Sequence, residues 1–239
     1  MTFAETSIAT RPANGAALRY SIYTGVHKGL RALMADTLVR VSRMDPQDEV
    51  ESTGALDQLQ LLLSLCQTHL EHENQFMHPA LERAQPDSAL RTADDHVEHV
   101  AEIARLRQQM AAFAAATGPA RTALAHELYL AVTLFVGENF THMHVEETAN
   151  QAVLAAAYTD EELFALEGAI VAHIPPAEGA VFRRWIVPSL NAAERLRMYR
   201  NVRAHAPPEA FAGMLALARQ VLSERDWYKL ERGSASLVW

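Results

Sequence analysis

Apolar residues recur three and four positions apart in four long segments of the chain, which is the spacing of one face of an α-helix. The segments cover approximately residues 18–41, 59–76, 93–110 and 128–153. Short breaks rich in Pro, Gly or Asp separate them, at MDPQDE, AQPDS and TGP. Because short connections favour antiparallel neighbours, the pattern predicts an all-α protein built on an up-down-up-down four-helix bundle.

Two of these apolar faces are interrupted by a His and a Glu four residues apart. His69 and Glu73 occupy positions of the second face where leucines are expected, and His142 and Glu146 do the same in the fourth. Residues four apart lie one above the other on a helix, so each pair presents an imidazole beside a carboxylate. Burying such groups alone is costly, and a bound cation offsets the cost. Each pair is therefore predicted to be half of a metal site.

The first and third segments add histidines to the same interior. His27 lies on the apolar face of the first segment, with Tyr23 one turn before it. In the third segment His96 and His99 both align with Ile103, so either or both can face inward. The four faces together bring about four imidazoles and two carboxylates into the predicted core.

This number of mixed nitrogen and oxygen ligands exceeds the four that a tetrahedral zinc ion needs. It fits two closely spaced iron or manganese ions better. Ferritin-type di-iron proteins place a Glu three residues before a His, and no Glu of this chain has a His three residues later. The residues therefore predict a binuclear centre in a bundle of another type.

Over roughly Tyr20 to Tyr158, these motifs resemble the hemerythrin-like HHE cation-binding proteins. That family has one His on its first helix, H-x-x-x-E on the second, a His on the third and H-x-x-x-E on the fourth. The resemblance implies two non-haem iron ions that can bind dioxygen, with Glu73 and Glu146 bridging them; zinc or manganese could occupy the same residues. The ligands it implies are His27, His69, Glu73, His96 or His99 or both, His142 and Glu146.

Two departures separate this chain from the respiratory hemerythrins. Their third helix carries two histidines a full turn apart, whereas His96 and His99 are three residues apart. They also use Asp in the last motif, and Glu146 is typical of the broader HHE group, in which sensing, iron handling and repair occur beside oxygen binding. An oxygen-carrier function therefore does not follow directly from the resemblance.

Several polar residues near the motifs are predicted to stay outside the ligand set. Tyr23 and Glu138 share the buried faces and are expected to surround the ligands or to pack in the core. His72 and His144 fall on other helical faces, and His78 precedes a proline near the end of the second helix. These three histidines are predicted to lie at the solvated surface.

The chain is predicted to have three parts: a short leader at 1–17, the metal-binding bundle at 18–158 and a helical extension at 159–239. In the extension Thr159 and Glu162 form a capping box that begins a helix. Amphipathic pieces follow, separated by Pro188 and by Pro207-Pro208, the last of them spanning Glu209 to Leu230. A partner surface, with a second copy of the chain as partner, is suggested by Trp185, Trp227 and Trp239.

Composition limits the partners and the compartment. The 239 residues are 49% hydrophobic and carry 21 basic against 29 acidic residues, a formal charge of −8. Such a chain repels phosphate backbones and anionic lipid, so neither nucleic acid nor a membrane is an expected partner. The single cysteine and an N-terminus without a basic start and apolar run favour the cytoplasm.

Three classes of function are compatible with these residues. The first is a protein that binds or senses dioxygen, nitric oxide or iron, which needs no further substrate-binding motif. The second is a redox enzyme such as a peroxidase, or a stress or repair protein. The third is a structural bundle whose His and Glu satisfy one another and which binds no stoichiometric metal. The sequence favours the first class.

Overall fold

The computed structural model describes residues 19–235, so the predicted leader at 1–17 and Trp239 lie outside the described residues. Across this range the chain forms nine helices and no β-strand, which confirms the predicted all-α class. The first four helices are α1 at Thr24–Arg43, α2 from Glu49–His72 through Glu73–Met77 to His78–Ala84, α3 at Leu90–Ala115, and α4 from Gly118–Val145 through Glu146–Asn150 to Gln151–Ala157.

Helices α1 to α4 form the predicted bundle. Contacts join α1 to α2, α2 to α3, α3 to α4 and α4 back to α1, which is the neighbour relation of an up-down-up-down arrangement. Leucines and aromatic residues from all these helices fill the middle, and Leu33, Leu59, Leu106 and Phe135 are fully buried. This apolar core occupies one half of the bundle, and the His and Glu of the motifs lie next to it.

Local signals set the ends of these helices. The Asp48 carboxylate accepts hydrogen bonds from the backbone N–H groups of Val50 and Glu51, which are unpaired at the start of α2. Between α3 and α4 the chain turns at Gly118, whose φ of 57° lies in the left-handed region that glycine adopts without steric cost. The tight connections keep consecutive helices antiparallel.

The predicted extension is helical throughout its described part. Its helices are α5 at Asp160–His173, α6 at Pro176–Ser189, α7 at Ala192–His205, α8 at Pro208–Val221 and α9 at Glu224–Ala235. The capping box of Thr159 and Glu162 is confirmed at the start of α5. Pro188 does not separate two helices as predicted, because it lies inside the last turn of α6.

The single helix predicted from Glu209 to Leu230 is wrong. The chain forms two helices there, because Ser223 caps a new one. Its hydroxyl accepts the backbone N–H of Asp226 at 3.2 Å and donates to the Asp226 carboxylate at 3.0 Å. The serine thus caps the helix through its hydroxyl, and the Asp226 carboxylate holds that hydroxyl in place.

Helix α6 packs directly on α1 and joins the core of the bundle. Phe182 is buried in the same cluster as the bundle leucines, and Trp185 and Ile186 pack against that cluster. The approach is close because Gly29 has no side chain: a Cβ there would lie 2.8 Å from Ile186 Cγ1 and 3.1 Å from Ile186 Cα. The division of the chain at 158/159 stays a prediction, but α6 is part of the bundle's packing.

Two of the three tryptophans that suggested a partner surface, Trp185 and Trp227, are engaged within the chain. Trp185 packs on the bundle core, and Trp227 packs on a smaller cluster around the buried Tyr199. A second copy of the chain as partner therefore stays a prediction with less support. None of the helices within residues 19–235 combines the length and the apolar character needed to cross a lipid bilayer.

Candidate metal centre

Both H-x-x-x-E helices change their winding at the Glu of the motif. In α2 one π-helical turn spans Glu73–Met77, and in α4 another spans Glu146–Asn150. A π turn holds an extra residue, is uncommon, and occurs frequently at functional sites. The two turns occupy equivalent places in the two helices, since each begins at the Glu of its motif.

The π turn corrects the predicted inner face of α2. With uniform α-helical spacing, Phe76 would follow Glu73 on the buried face. In the structure Phe76 is only half-buried, and Met77 is buried instead. The extra residue shifts the face by one position. It also brings His78 inside, where it is 8% exposed and stacks on His96 with ring centroids 4.7 Å apart. The prediction that His78 lies at the surface is therefore wrong, whereas His144 is exposed as predicted.

In α4 the predicted inner face fails at Glu138 and, within the π turn, at Ala149, which is exposed while Asn150 is buried. Glu138 and Asn139 both fit the helical spacing after Phe135, and the structure buries Asn139 and exposes Glu138. The buried amide of Asn139 donates to the Phe135 carbonyl at 2.8 Å, whereas a buried Glu138 carboxylate would need a charged partner. Glu138 therefore does not surround the ligands as predicted.

Six of the seven predicted ligands converge in the bundle interior. They fall into two groups, each with its ligand atoms within 4.8 Å of one another and each fully buried. The first ligand group consists of His27, His69, Glu73 and Glu146, and the second ligand group consists of Glu73, His96, His142 and Glu146. The two glutamates belong to both groups.

The first ligand group draws on helices α1, α2 and α4. His69 Nε2 lies 3.3 Å from Glu73 Oε1, within the four-residue step of the motif. His27 Nε2, from α1, lies 3.6 Å from the same Glu73 oxygen and 3.4 Å from Glu146 Oε2. Two atoms bound about 2.1 Å from one metal ion are about 3.0 to 3.4 Å apart, so these separations suit a shared cation.

The second ligand group has the same dimensions. His142 Nε2 lies 3.3 Å from Glu146 Oε2, and His96 Nε2 lies 3.5 Å from Glu73 Oε2 and 3.8 Å from Glu146 Oε1. The Nε2 atoms of His96 and His142 are 3.1 Å apart. Glu73 thus turns one oxygen to each group, which is the geometry of a carboxylate that bridges two cations.

The inward-facing atoms of this cluster are mostly unpaired. His27 Nε2, His69 Nε2 and both carboxylate oxygens of Glu73 and of Glu146 are buried and have no hydrogen-bond partner within the described chain. A buried polar atom without a partner costs about 1–3 kcal/mol, and more when it is charged. Six such atoms around one point are explained by a bound cation.

Three of the imidazoles are oriented by a polar group on their outer side. His96 Nδ1 lies 2.8 Å from Asn74 Oδ1, His142 Nδ1 lies 3.1 Å from Asp95 Oδ2, and His27 Nδ1 lies 3.2 Å from Glu147 Oε1. All three partners are acceptors, so each Nδ1 donates outward and each Nε2 faces the interior, where it can bind a metal ion once its proton is displaced. This is the arrangement that metal-binding histidines require.

Sequence reasoning missed these three outer residues. Each one adjoins a ligand in the chain but serves a histidine on the next helix: Asn74 on α2 supports α3, Asp95 on α3 supports α4, and Glu147 on α4 supports α1. Glu147 also accepts from Arg31 at 2.6 Å. Adjacency to a ligand was the available signal, but it does not tell which helix lies opposite.

The electrostatics of the cluster follow from burial opposed by charge pairing. Burial lowers the pKa of His27 and His96, but the negative charges of the surrounding carboxylates outweigh burial and raise each pKa to about 9. For His69, burial prevails and the pKa falls to about 4. Burial alone would raise the pKa of Glu73, yet the neighbouring imidazoles hold it well below its usual range. The carboxylates are therefore ionised, and a cation that binds them must displace protons from the imidazoles.

His99 and Tyr23 lie beside the two groups. His99 is 5% exposed, and its ring centroid is 4.9 Å from that of His142, but it belongs to neither group. The structure thus brings His96 into the cluster and leaves His99 at its edge. The Tyr23 ring lies 5.3 Å from the His27 ring, and its buried hydroxyl has no hydrogen-bond partner in the described range. Burial and the charges of Glu146 and Glu73 raise the pKa of Tyr23 well above its ordinary value.

The fold and the site define a helical bundle that holds metal cations between four helices. The family model of the hemerythrin HHE cation-binding domain matches residues 19–154, more than half of the chain, and the chain belongs to this family. No curated protein and no solved structure shows a significant match.

Proposed function

We propose that the protein holds two non-haem iron ions, one in each ligand group, and binds or senses dioxygen or nitric oxide at this centre. The observation that carries the proposal is the convergence of six buried nitrogen and oxygen atoms without hydrogen-bond partners, contributed by three helices. Family membership supports a cation at this place. Mixed imidazole and carboxylate donors suit iron, manganese and zinc alike, and each ligand group offers four of them. The choice of iron therefore rests on the likeness to the hemerythrin family.

The chain's own residues prepare the site for such a ligand. Bound ferrous iron would supply reversible electron transfer to a diatomic molecule. Glu73 and Glu146 would hold the two ions close together, and the outer partners fix the ring orientations. Apolar side chains, among them Met77 and Leu81, are packed with Tyr23 beside the centre and exclude water from that side.

A redox enzyme such as a peroxidase is the second candidate, and Tyr23 is the observation that favours it. Its hydroxyl is a buried donor without an acceptor in the described chain, next to both bridging carboxylates. A donor at that place can hydrogen-bond to a molecule bound in the centre and deliver a proton to it. Loss of peroxide turnover in Tyr23→Phe, with metal content unchanged, would support this function.

Metal analysis with optical spectroscopy tests the leading proposal. Protein purified without oxygen should contain two irons per chain and develop a visible charge-transfer band when oxygen is admitted. His69→Ala and His142→Ala should lose metal and band, whereas the exposed His144→Ala should keep both. Protein that takes up no ferrous iron, and whose melting temperature chelators leave unchanged, would instead be the structural bundle.

A further inference from the structure

A surface groove between α3 and α4 leads towards the metal centre. It has a volume of about 520 Å³ and reaches His99 and His142 at its inner end. His142 belongs to the second ligand group, and Asp95, which orients it, stands in the groove wall with its side chain 32% exposed. The groove therefore connects solvent with the outer side of a metal ligand.

The inner end of the groove carries an imidazole that the metal centre does not use. His99 is 5% exposed, and its Nδ1 has no hydrogen-bond partner among residues 19–235. Its ring stands nearly perpendicular to that of His142, at 86°, with the centroids 4.9 Å apart. A buried nitrogen without a partner, one ring away from a metal ligand, is available to bind a cation for a short time.

The walls of the groove are negative. Asp95, Glu98 and Glu138 line it, and Arg91 is the one cationic side chain lining its described walls. Glu98 and Glu138 are exposed and are not needed for packing. A cleft lined mainly by one sign of charge concentrates ions of the opposite sign and raises their association rate. This groove accordingly attracts divalent cations and disfavours anions.

We propose that the groove is the route by which divalent metal ions reach the centre, and that His99 is a transit ligand on this route. The inference rests on the proposed metal site. The exposed carboxylates draw the hydrated cation in, and His99 Nδ1 replaces one of its waters. From His99 the cation passes to the adjacent His142 and so enters the second ligand group. Because His99 lies outside both groups, it changes the rate of loading and leaves the final occupancy unaltered.

Cobalt loading followed by stopped-flow absorbance tests the wall charges. Metal-free protein is mixed with Co²⁺, and both the loading rate and the final cobalt content are measured. Glu98→Gln/Glu138→Gln should slow loading by about fivefold at low ionic strength, and the difference should shrink as salt is added. The control Glu127→Gln/Glu209→Gln removes the same charge from exposed positions outside the groove and should load at the wild-type rate.

His99→Leu tests the transit ligand, because leucine retains bulk and removes both ring nitrogens. Loading should slow by about tenfold with the same final cobalt content. A lower final content would make His99 a permanent ligand and overturn the transit role. Equal rates for the wall variant and its control would overturn the route. A wild-type chain that binds no Co²⁺ would refute the proposed metal site itself, so the two failures are distinguishable.

Discussion

Glu147 orients His27, and its removal should weaken metal binding by the first ligand group. Its carboxylate holds His27 Nδ1 at 3.2 Å and is itself held by Arg31 at 2.6 Å. Glu147→Gln keeps an oxygen that accepts from Nδ1 but loses the charge that makes the imidazole a better donor to metal. Glu147→Ala removes the acceptor altogether.

Outer-partner substitutions typically cost 10–100-fold in metal affinity. Glu147→Gln is the conservative change, so we expect the smaller loss, an about tenfold lower metal affinity, or about 1.4 kcal/mol of binding free energy. Glu147→Ala should approach a hundredfold, or about 2.8 kcal/mol. Asp95→Asn should weaken metal binding by about tenfold in the second ligand group, because Asp95 orients His142 at 3.1 Å.

Equilibrium titration with Co²⁺ against a competing chelator measures these losses. Melting of each metal-free variant checks that the fold is intact. The variant His27→Ala leaves the second ligand group complete. In this background Asp95→Asn should still weaken metal binding, whereas Glu147→Gln should have no further effect on it. If Glu147→Gln weakens binding there as much as in the wild type, Glu147 does not act through His27 and the assignment is refuted.

Three further predictions concern stability. Gly29→Ala should destabilise the fold by about 1–3 kcal/mol in urea unfolding because its Cβ meets Ile186 at 2.8 Å, whereas Gly25→Ala, with open space around it, should not. Burial raises the pKa of Glu167 above its ordinary 4.5 while Tyr20 donates to it. The protonated Glu167 carboxyl therefore contributes stability below pH 4.5, and this contribution is lost as the pH rises through the folded-state pKa. The difference in melting temperature between Glu167→Gln and the wild type, in favour of the variant, should accordingly grow from pH 4 to pH 7. Metal present at 100 times its Kd should raise the free energy of unfolding by about 2.7 kcal/mol. Equal melting temperatures with and without a chelator would contradict metal binding to the folded state.

The bundle and its inward ligands were predictable because both depend on helical spacing. His69 and Glu73 interrupt an apolar face at a fixed interval, so any α-helix that buries the face also buries them. The choice between His96 and His99 was not predictable in this way. Both satisfy the spacing, and the choice is made by contacts between helices: His96 Nε2 lies 3.5 Å from Glu73 Oε2 and 3.8 Å from Glu146 Oε1.

The failed predictions have local physical causes. Phe76 and Met77 are both apolar, so no change of residue type marks the π turn that buries one rather than the other. The break at Ser223 was marked in the sequence, since a Ser three residues before an Asp can cap a helix as a Ser–Glu pair does. Contacts between helices, such as that of Asp95 with His142, depend on how the four helices pack together. The spacing of residues within one helix therefore does not predict them.

The number of residues in each π turn determines which side chains surround the metal centre. Each inserts one residue, which rotates everything beyond it by about 100° relative to an uninterrupted α-helix. Deleting one residue from either turn would keep every ligand of the centre and yet swing His78 or Asn150 away from the interior they now occupy. A single-residue insertion or deletion at these points can thus remodel the surroundings of the centre while its H-x-x-x-E motifs stay unchanged.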